Sequence, residues 1–303
     1  MKHLVPSLTL VLIVAACSGS PEATTTSAGA SEETVPTTLA TTSTTETPAT
    51  TGPSTTTTVP AAADTFLIAG DTCLLGWWDG DWQSEGLPPV TGGEQYQVVR
   101  LAEPITTSEG TEPRPWCDPL ELLNIEFDPQ LPGDWQDIDA LAIQTLGDVR
   151  PHKVEMLSTS LDAYEEATSI LLAGRVAGIP EVNLKQVIRT DLEGDGVDEV
   201  VVVASTMPDD PVETAAGNYT IVYLRKIMDG EVETALLGVH VVDDEGPFGW
   251  VQIEVAAIAD LNGDGLMEIV LNGNVWEGAF LQAFEWAGSE LGLLEVLSCG
   301  CGS

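Results

Sequence analysis

The chain has 303 residues, with 48 Asp and Glu against 10 Lys and Arg, and a formal net charge of −38 at neutral pH. Such a surface repels phosphate backbones and anionic headgroups, which argues against nucleic acid as a partner. Cations or a cationic partner are its natural complement, although solubility in a salty or acidic medium would explain the same charge without any partner.

The chain opens MKHLVPSLTLVLIVAACSGS. Lys2, an apolar run of about a dozen residues and then small residues make a secretory signal layout, too short for a stable membrane span. Val14, Ala15, Ala16 and Cys17 resemble a bacterial lipobox. That resemblance implies a signal peptide over residues 1–16, cleavage before Cys17 and lipidation of Cys17, with palmitate among the acyl chains. An ordinary signal peptide with a chance cysteine is the alternative. Acyl chains contribute about 0.8 kcal/mol per buried CH2, so several on one residue anchor a protein firmly. The expected location is extracytoplasmic, on the bacterial cell envelope, with the membrane as a partner through the anchor.

Residues 17–62 continue as a Thr/Ser/Pro-rich tether, a composition that cannot bury enough apolar surface to offset chain entropy. A flexible chain of this length would hold the folded part about 35–40 Å from the lipid. Residues 63–180 are expected to form an N-terminal β-rich region with one helix near 160–177. In GWWDGDW, Asp79 and Gly80 mark a turn between arms that carry Trp77, Trp78 and Trp82. These tryptophans are read either as cross-strand packing or as a platform for a sugar or quaternary ammonium ligand. Tyr96 to Leu101 predicts a strand, and the Pro-rich stretch 103–133 predicts a long loop pinned by Cys117. In SLDAYEEATSILLAGRVAGIP, apolar residues at helical spacing (Leu161, Tyr164, Ile170, Leu171 and Val176) predict an amphipathic helix ended by Gly178 and Pro180.

Residues 181–303 contain an internal repeat. VIRTDLEGDGVDEVVVVAS, from Val187, aligns with AAIADLNGDGLMEIVLNGN, from Ala256. Each loop places oxygen-bearing side chains at positions 1, 3, 5 and 9: Asp191, Glu193, Asp195 and Glu199, then Asp260, Asn262, Asp264 and Glu268. Glycine stands at positions 4 and 6. A hard cation such as Ca²⁺ takes about six to eight oxygens, and alternate residues of a tight loop can converge on one ion. The main-chain carbonyl of position 7, Val197 or Leu266, is a further candidate ligand. An EF-hand is excluded, because its twelfth position needs a bidentate Glu and here holds Val202 or Leu271. The flanks VVVV and EIVL read as strands rather than helices.

The two loops and their flanking strands resemble FG-GAP or VCBS-type repeats, whose calcium loops read D-x-[DN]-x-D-G-x-x-[DE] between strands, as in integrin alpha-chain propellers. The resemblance implies calcium ligation by Asp191, Glu193, Asp195, Val197 and Glu199, and by Asp260, Asn262, Asp264, Leu266 and Glu268. Glu193 stands where the pattern has Asp or Asn. The expected fold is mainly β with one or two helices, built from propeller-blade-like four-stranded repeats and short of a complete seven-bladed ring. YTIVYLRKI, Asp229-Gly230 and EVETALLGVHVV read as a two-residue-turn hairpin inside the first repeat.

Beyond Cys17 the cysteines are Cys73, Cys117, Cys299 and Cys301. Export favours disulfides, and the expected pair is Cys73 with Cys117. The chain carries no G-x-S-x-G, H-E-x-x-H, phosphate-loop or dinucleotide fingerprint, so no catalytic residue is assigned. The expected function is a lipid-anchored module that binds calcium through both loops and serves adhesion, envelope association or recognition of a cell-surface protein or glycan. The alternative is a secreted hydrolase or accessory carbohydrate-active enzyme with structural calcium.

Overall fold

A computed structural model describes residues 65–70, 73–86, 88, 90–117, 122–134, 137–138, 140–176, 181–243, 246–286 and 292–302. The expected signal peptide, Cys17 as the expected lipidation site, the expected tether, Gly178 and Pro180 lie outside the described residues. The protein is mainly β with a single α-helix among the described residues, and its strands are arranged in antiparallel sheets.

The N-terminal sheet begins with β1 (Phe66–Ala69), β2 (Leu74–Trp78), β3 (Trp82–Gln83), β4 (Gln95–Arg100) and β5 (Thr106–Gly110). Next come β6 (Arg114–Trp116) and β7 (Leu122–Asn124), which pair with each other, and β8 (Phe127–Asp128). β9 (Gly133–Asp134) pairs with β10 (Asp137–Ile138), and β11 (Ala140–Gln144) returns to the centre of the sheet. Its seven strands run in the order β3-β2-β1-β11-β4-β5-β8. The Pro-rich stretch is therefore not a long loop. Of its described prolines, Pro104, Pro113, Pro129 and Pro132 fall between strands and Pro115 lies in a short two-stranded ribbon, where a missing N–H is tolerated.

The two repeats form the other large sheets. β12 (Val154–Met156), β13 (Leu184–Thr190), β14 (Glu199–Ser205), β15 (Tyr219–Met228) and β16 (Glu231–Val241) pair in sequence order, with helix α1 (Asp162–Leu172) between the first two. β17 (Val251–Ala259), β18 (Glu268–Val275), β19 (Gly278–Trp286) and β20 (Leu293–Gly302) make a four-stranded meander in sequence order. The first repeat thus gains an edge strand, β12, from residues ahead of 181. The Asp229-Gly230 turn joins β15 to β16 with both residues at positive φ, 53° and 85°.

The four-stranded sheet is the middle layer. One core joins Phe66, Ile68, Leu75, Val99, Leu141 and Ile143 of the N-terminal sheet to Ala257, Val270, Leu281 and Leu297. A second core joins Ile188, Val201, Val203 and Val222 to Ile253, Ile258, Ile269 and Leu271. The valine run of β14 is explained by burial on both faces. Val201 and Val203 face the middle sheet, while Val202 and Ala204 pack with Leu172 and Tyr223 under the helix. None of the described sheets closes on itself.

The helix is shorter than expected, and its buried stripe differs. Ile170 is exposed, whereas Thr168 and Leu172 are buried. Tyr164, Thr168 and Leu172 are spaced by four and share one face. Thr168 is admitted to the interior because its hydroxyl donates to the Tyr164 carbonyl (2.7 Å) and lies 2.9 Å from the Tyr223 hydroxyl.

The cysteine pairing differs from expectation. Cys73 bonds Cys299, and Cys117 bonds Cys301, so the C-terminal strand β20 is tied twice to the N-terminal region. The sheet stacking brings β20 against β2 and thereby sets the partners, a long-range consequence that sequence spacing does not carry.

Candidate metal centre

Both acidic loops connect the first pair of strands in their repeats, and they share one register. Thr190 pairs with Glu199 across the first loop, and Ala259 pairs with Glu268 across the second. Position 9 is thus the first residue of the outgoing strand in each. Its side chain turns back under the loop, where Glu199 Oε2 accepts the N–H of Leu192 (2.8 Å) and Glu268 Oε2 accepts that of Leu261 (2.7 Å).

Position 1 organises the turn in both loops by accepting two of its N–H groups, sharing only that of position 6. The Asp191 carboxylate accepts the N–H groups of Asp195 (3.1 Å) and Gly196 (2.9 Å). The Asp260 carboxylate accepts those of Gly263 (2.6 Å) and Gly265 (2.9 Å). Position 5 folds over its own turn, with Asp195 and Asp264 each accepting the N–H two residues on at 2.8 Å. In the second loop Asn262 Oδ1 also accepts the Asp264 N–H at 3.0 Å. Among the described residues no three His, Cys, Asp or Glu side chains converge as a ready-made cluster. The donor set of the second loop would instead combine carboxylates with the Asn262 amide and the Leu266 carbonyl.

The glycine at position 4 does more than turn. A Cβ on Gly263 would lie 2.5 Å from the Phe66 ring, and one on Gly194 would lie 2.7 Å from the His152 ring. Each loop is therefore pressed against an aromatic side chain from outside its own repeat. The loops also touch one another. The N–H of Met267 donates to the Leu192 carbonyl (2.9 Å), and His152 Nε2 donates to the Gly265 carbonyl (3.2 Å).

Electrostatics separates the two copies. In the second loop Glu268 is 1% exposed, and its Oε1 has no hydrogen-bond partner among the described residues. Burial pushes its carboxyl well above the usual range, and Asp264, Asp260 and Glu285 push in the same direction. Burial likewise raises Asp260, against the lowering effect of the N–H groups it accepts. In the first loop the equivalent oxygen, Glu199 Oε1, likewise makes no hydrogen bond among the described residues, but it lies 3.1 Å from the Lys226 ammonium, which also pairs with Glu193. Burial raises Glu199 to about 7 and lowers Lys226, the expected direction for each charged form removed from water.

Sequence reading missed Lys226, Glu285, His152 and Phe66. The first two could have been found by extending the repeat alignment to the third strand, where YTIVYLRKI matches GAFLQAFEW and Lys226 falls opposite Glu285. His152 and Phe66 come from other elements and leave no such trace.

The three tryptophans of the GWWDGDW hairpin do not share one face. Trp78 and Trp82 are paired across the hairpin and meet edge to face with centroids 4.9 Å apart. Trp77, the adjacent residue, points to the opposite face and is buried there, as strand alternation requires. Trp82 Nε1 donates to Glu285 Oε2 at 2.6 Å, which ties this hairpin to the middle sheet. Comparison with protein-family models, curated proteins and solved structures returns no match for this chain.

Proposed function

We propose that the chain is a lipid-anchored, extracytoplasmic module of the bacterial envelope that binds calcium and carries a binding or adhesion surface on a stacked β-sheet body. The observation that carries the metal reading is Glu268, a fully buried carboxylate with one unpartnered oxygen, whose other oxygen is bonded into the loop that holds Asp260, Asn262 and Asp264. A buried carboxylate without a counter-charge is costly, and a divalent cation offsets that cost while taking oxygen ligands. Asp260, Asn262, Asp264, the Leu266 carbonyl and Glu268 would hold the ion. Calcium supplies positive charge here and no redox chemistry. Strand residue Glu268 would fix one side of the cage, and the loop hydrogen bonds hold the Asp260 and Asp264 carboxylates within the turn.

Anchoring rests on the lipobox-like Val14–Cys17 and the threonine-rich tether. The acidic surface fits a cation-rich exterior better than an anionic partner. Thermal unfolding of the full chain in millimolar calcium and in EDTA, with Asp264→Ala alongside, tests the metal reading. A calcium-dependent rise in Tm that disappears in the variant supports it, and coincident curves with and without calcium overturn it. Membrane fractionation with Cys17→Ser tests the anchor, since the variant should leave the membrane fraction.

A further inference from the structure

The repeats differ at one structurally equivalent position, and the difference has the sign of a missing cation. In the first repeat Val200 pairs with Arg225, so the next residues, Glu199 and Lys226, stand opposite each other. In the second repeat Ile269 pairs with Phe284, so the next residues are Glu268 and Glu285. The same backbone position therefore supplies an ammonium beside one loop and a carboxylate beside the other.

Lys226 is placed as an internal cation rather than as a surface lysine. It is only 7% exposed, it pairs with Glu193 and with Glu199, and its ammonium lies 4.5 Å from the centroid of the Trp286 ring. Glu193 is also the residue that departs from the Asp or Asn of the calcium-loop pattern, and its extra methylene lets it reach Lys226. An ammonium held between two carboxylates and an aromatic face gives the buried Glu199 a counter-charge without a metal. Among the described residues no cation pairs with Glu268 as Lys226 does with Glu199, and Glu285 adds negative charge beside it.

We propose that Lys226 takes the place of the metal in the first loop, so that the chain binds one calcium ion, in the second loop, and that the residue opposite position 9 decides which loop requires the ion. This rests on the calcium reading of the second loop for the total count, but not for the role of Lys226. The role of Lys226 is read from the difference between variants.

Calcium itself is the probe, with ion count and affinity measured by titration calorimetry on the full chain. The wild type should bind one ion, Asp264→Asn should bind none, and Asp195→Asn should still bind one. Lys226→Met should gain one site, and Asp195→Asn added to it should remove that gained site. A Lys226→Met protein with an unchanged count overturns the proposal, as does a wild-type count of two that falls to one in Asp195→Asn. A wild type that binds none overturns the reading of the second loop, while a gained ion in Lys226→Met would still uphold the role of the lysine. Should Lys226→Met fail to fold, the Asp195→Asn count in the otherwise native chain decides the matter. An unchanged count supports the proposal, and a lost ion overturns it.

Discussion

Glu268→Gln is expected to change sign with calcium. Glutamine keeps the shape of the side chain and an oxygen for the Leu261 N–H, but it removes a buried negative charge. Without calcium the native carboxylate carries an unpartnered oxygen close to Asp260 and Asp264. The amide nitrogen that replaces this oxygen is a donor beside the Asp260 and Asp264 carboxylates rather than a third acceptor, and relieving one unsatisfied buried group is worth about 1–3 kcal/mol, so the neutral variant should be more stable than the native chain by about that amount in EGTA. With calcium at about a hundred times its dissociation constant, a bound ion stabilises the native chain by about 2.7 kcal/mol, which a variant lacking a ligand largely forfeits. The variant should therefore be the less stable protein in calcium and the more stable one in EGTA. Urea unfolding followed by tryptophan fluorescence measures both arms. Equal destabilisation in the two buffers would refute the reasoning, because Glu268 would then serve only to accept the Leu261 N–H.

Three further outcomes follow from the packing and charge pairs. Replacing Cys73 and Cys299 together by alanine opens a loop spanning 226 residues, for which the chain-entropy model gives about 5 kcal/mol. Because Cys117–Cys301 still constrains much of the same chain, the expected loss is about 2–4 kcal/mol by urea titration, and a loss below about 1 kcal/mol would contradict it. Gly263→Ala should cost about 2–4 kcal/mol, from backbone strain at φ 80° plus the Phe66 ring 2.5 Å from the new Cβ, whereas Gly265→Ala meets open space and should cost about 1 kcal/mol. Equal Tm losses in the two variants would show that Phe66 does not press on the loop. The Glu155 carboxyl, hydrogen-bonded by Arg189 (2.6 Å) and Lys153 (3.1 Å), is held below the usual carboxylate range. Its depressed value in the folded chain means that the pairing stabilises at neutral pH and fades as pH falls through that value. Carboxyl carbon NMR should show the Glu155 titration moving upward in Arg189→Gln, and no movement would remove Arg189 as the cause.

What the sequence disclosed was local and periodic. The repeat fixed two loops with identical register, and the D-x-x-G-D-G spacing located the turns because few other residues tolerate such a backbone. Asp229-Gly230 announced its hairpin for the same reason. Long-range consequences were hidden. The partners of Cys73 and Cys117 depend on β20 lying against the N-terminal sheet, which no spacing rule encodes. The three tryptophans looked alike in sequence, yet strand alternation sends Trp77 to one face and Trp78 to the other. The difference between the two loops was the subtlest, because Lys226 acts on Glu199 only across a strand pair, well away in sequence.

The placement of the loops bears on what a metal would do here. The second loop lies at a seam rather than at a free rim. Leu261 is buried in the core shared with the N-terminal sheet, Gly263 abuts Phe66 from that sheet, and the Asp260 N–H donates to the Val149 carbonyl. On its other side the Met267 N–H reaches the Leu192 carbonyl of the first loop, whose own carboxylates hold Lys226. Charge placed at Asp260, Asp264 and Glu268 therefore acts where all three large sheets meet. On the proposed reading, an ion in the second loop and the Lys226 ammonium in the first would perform the same task one layer apart, offsetting buried carboxylates so that the loops can pack. That division explains why one repeat retains Asn262 and Glu285 while the other has Glu193 and Lys226 at the same places. A longer acid reaches an internal ammonium, and a shorter amide leaves room for an ion.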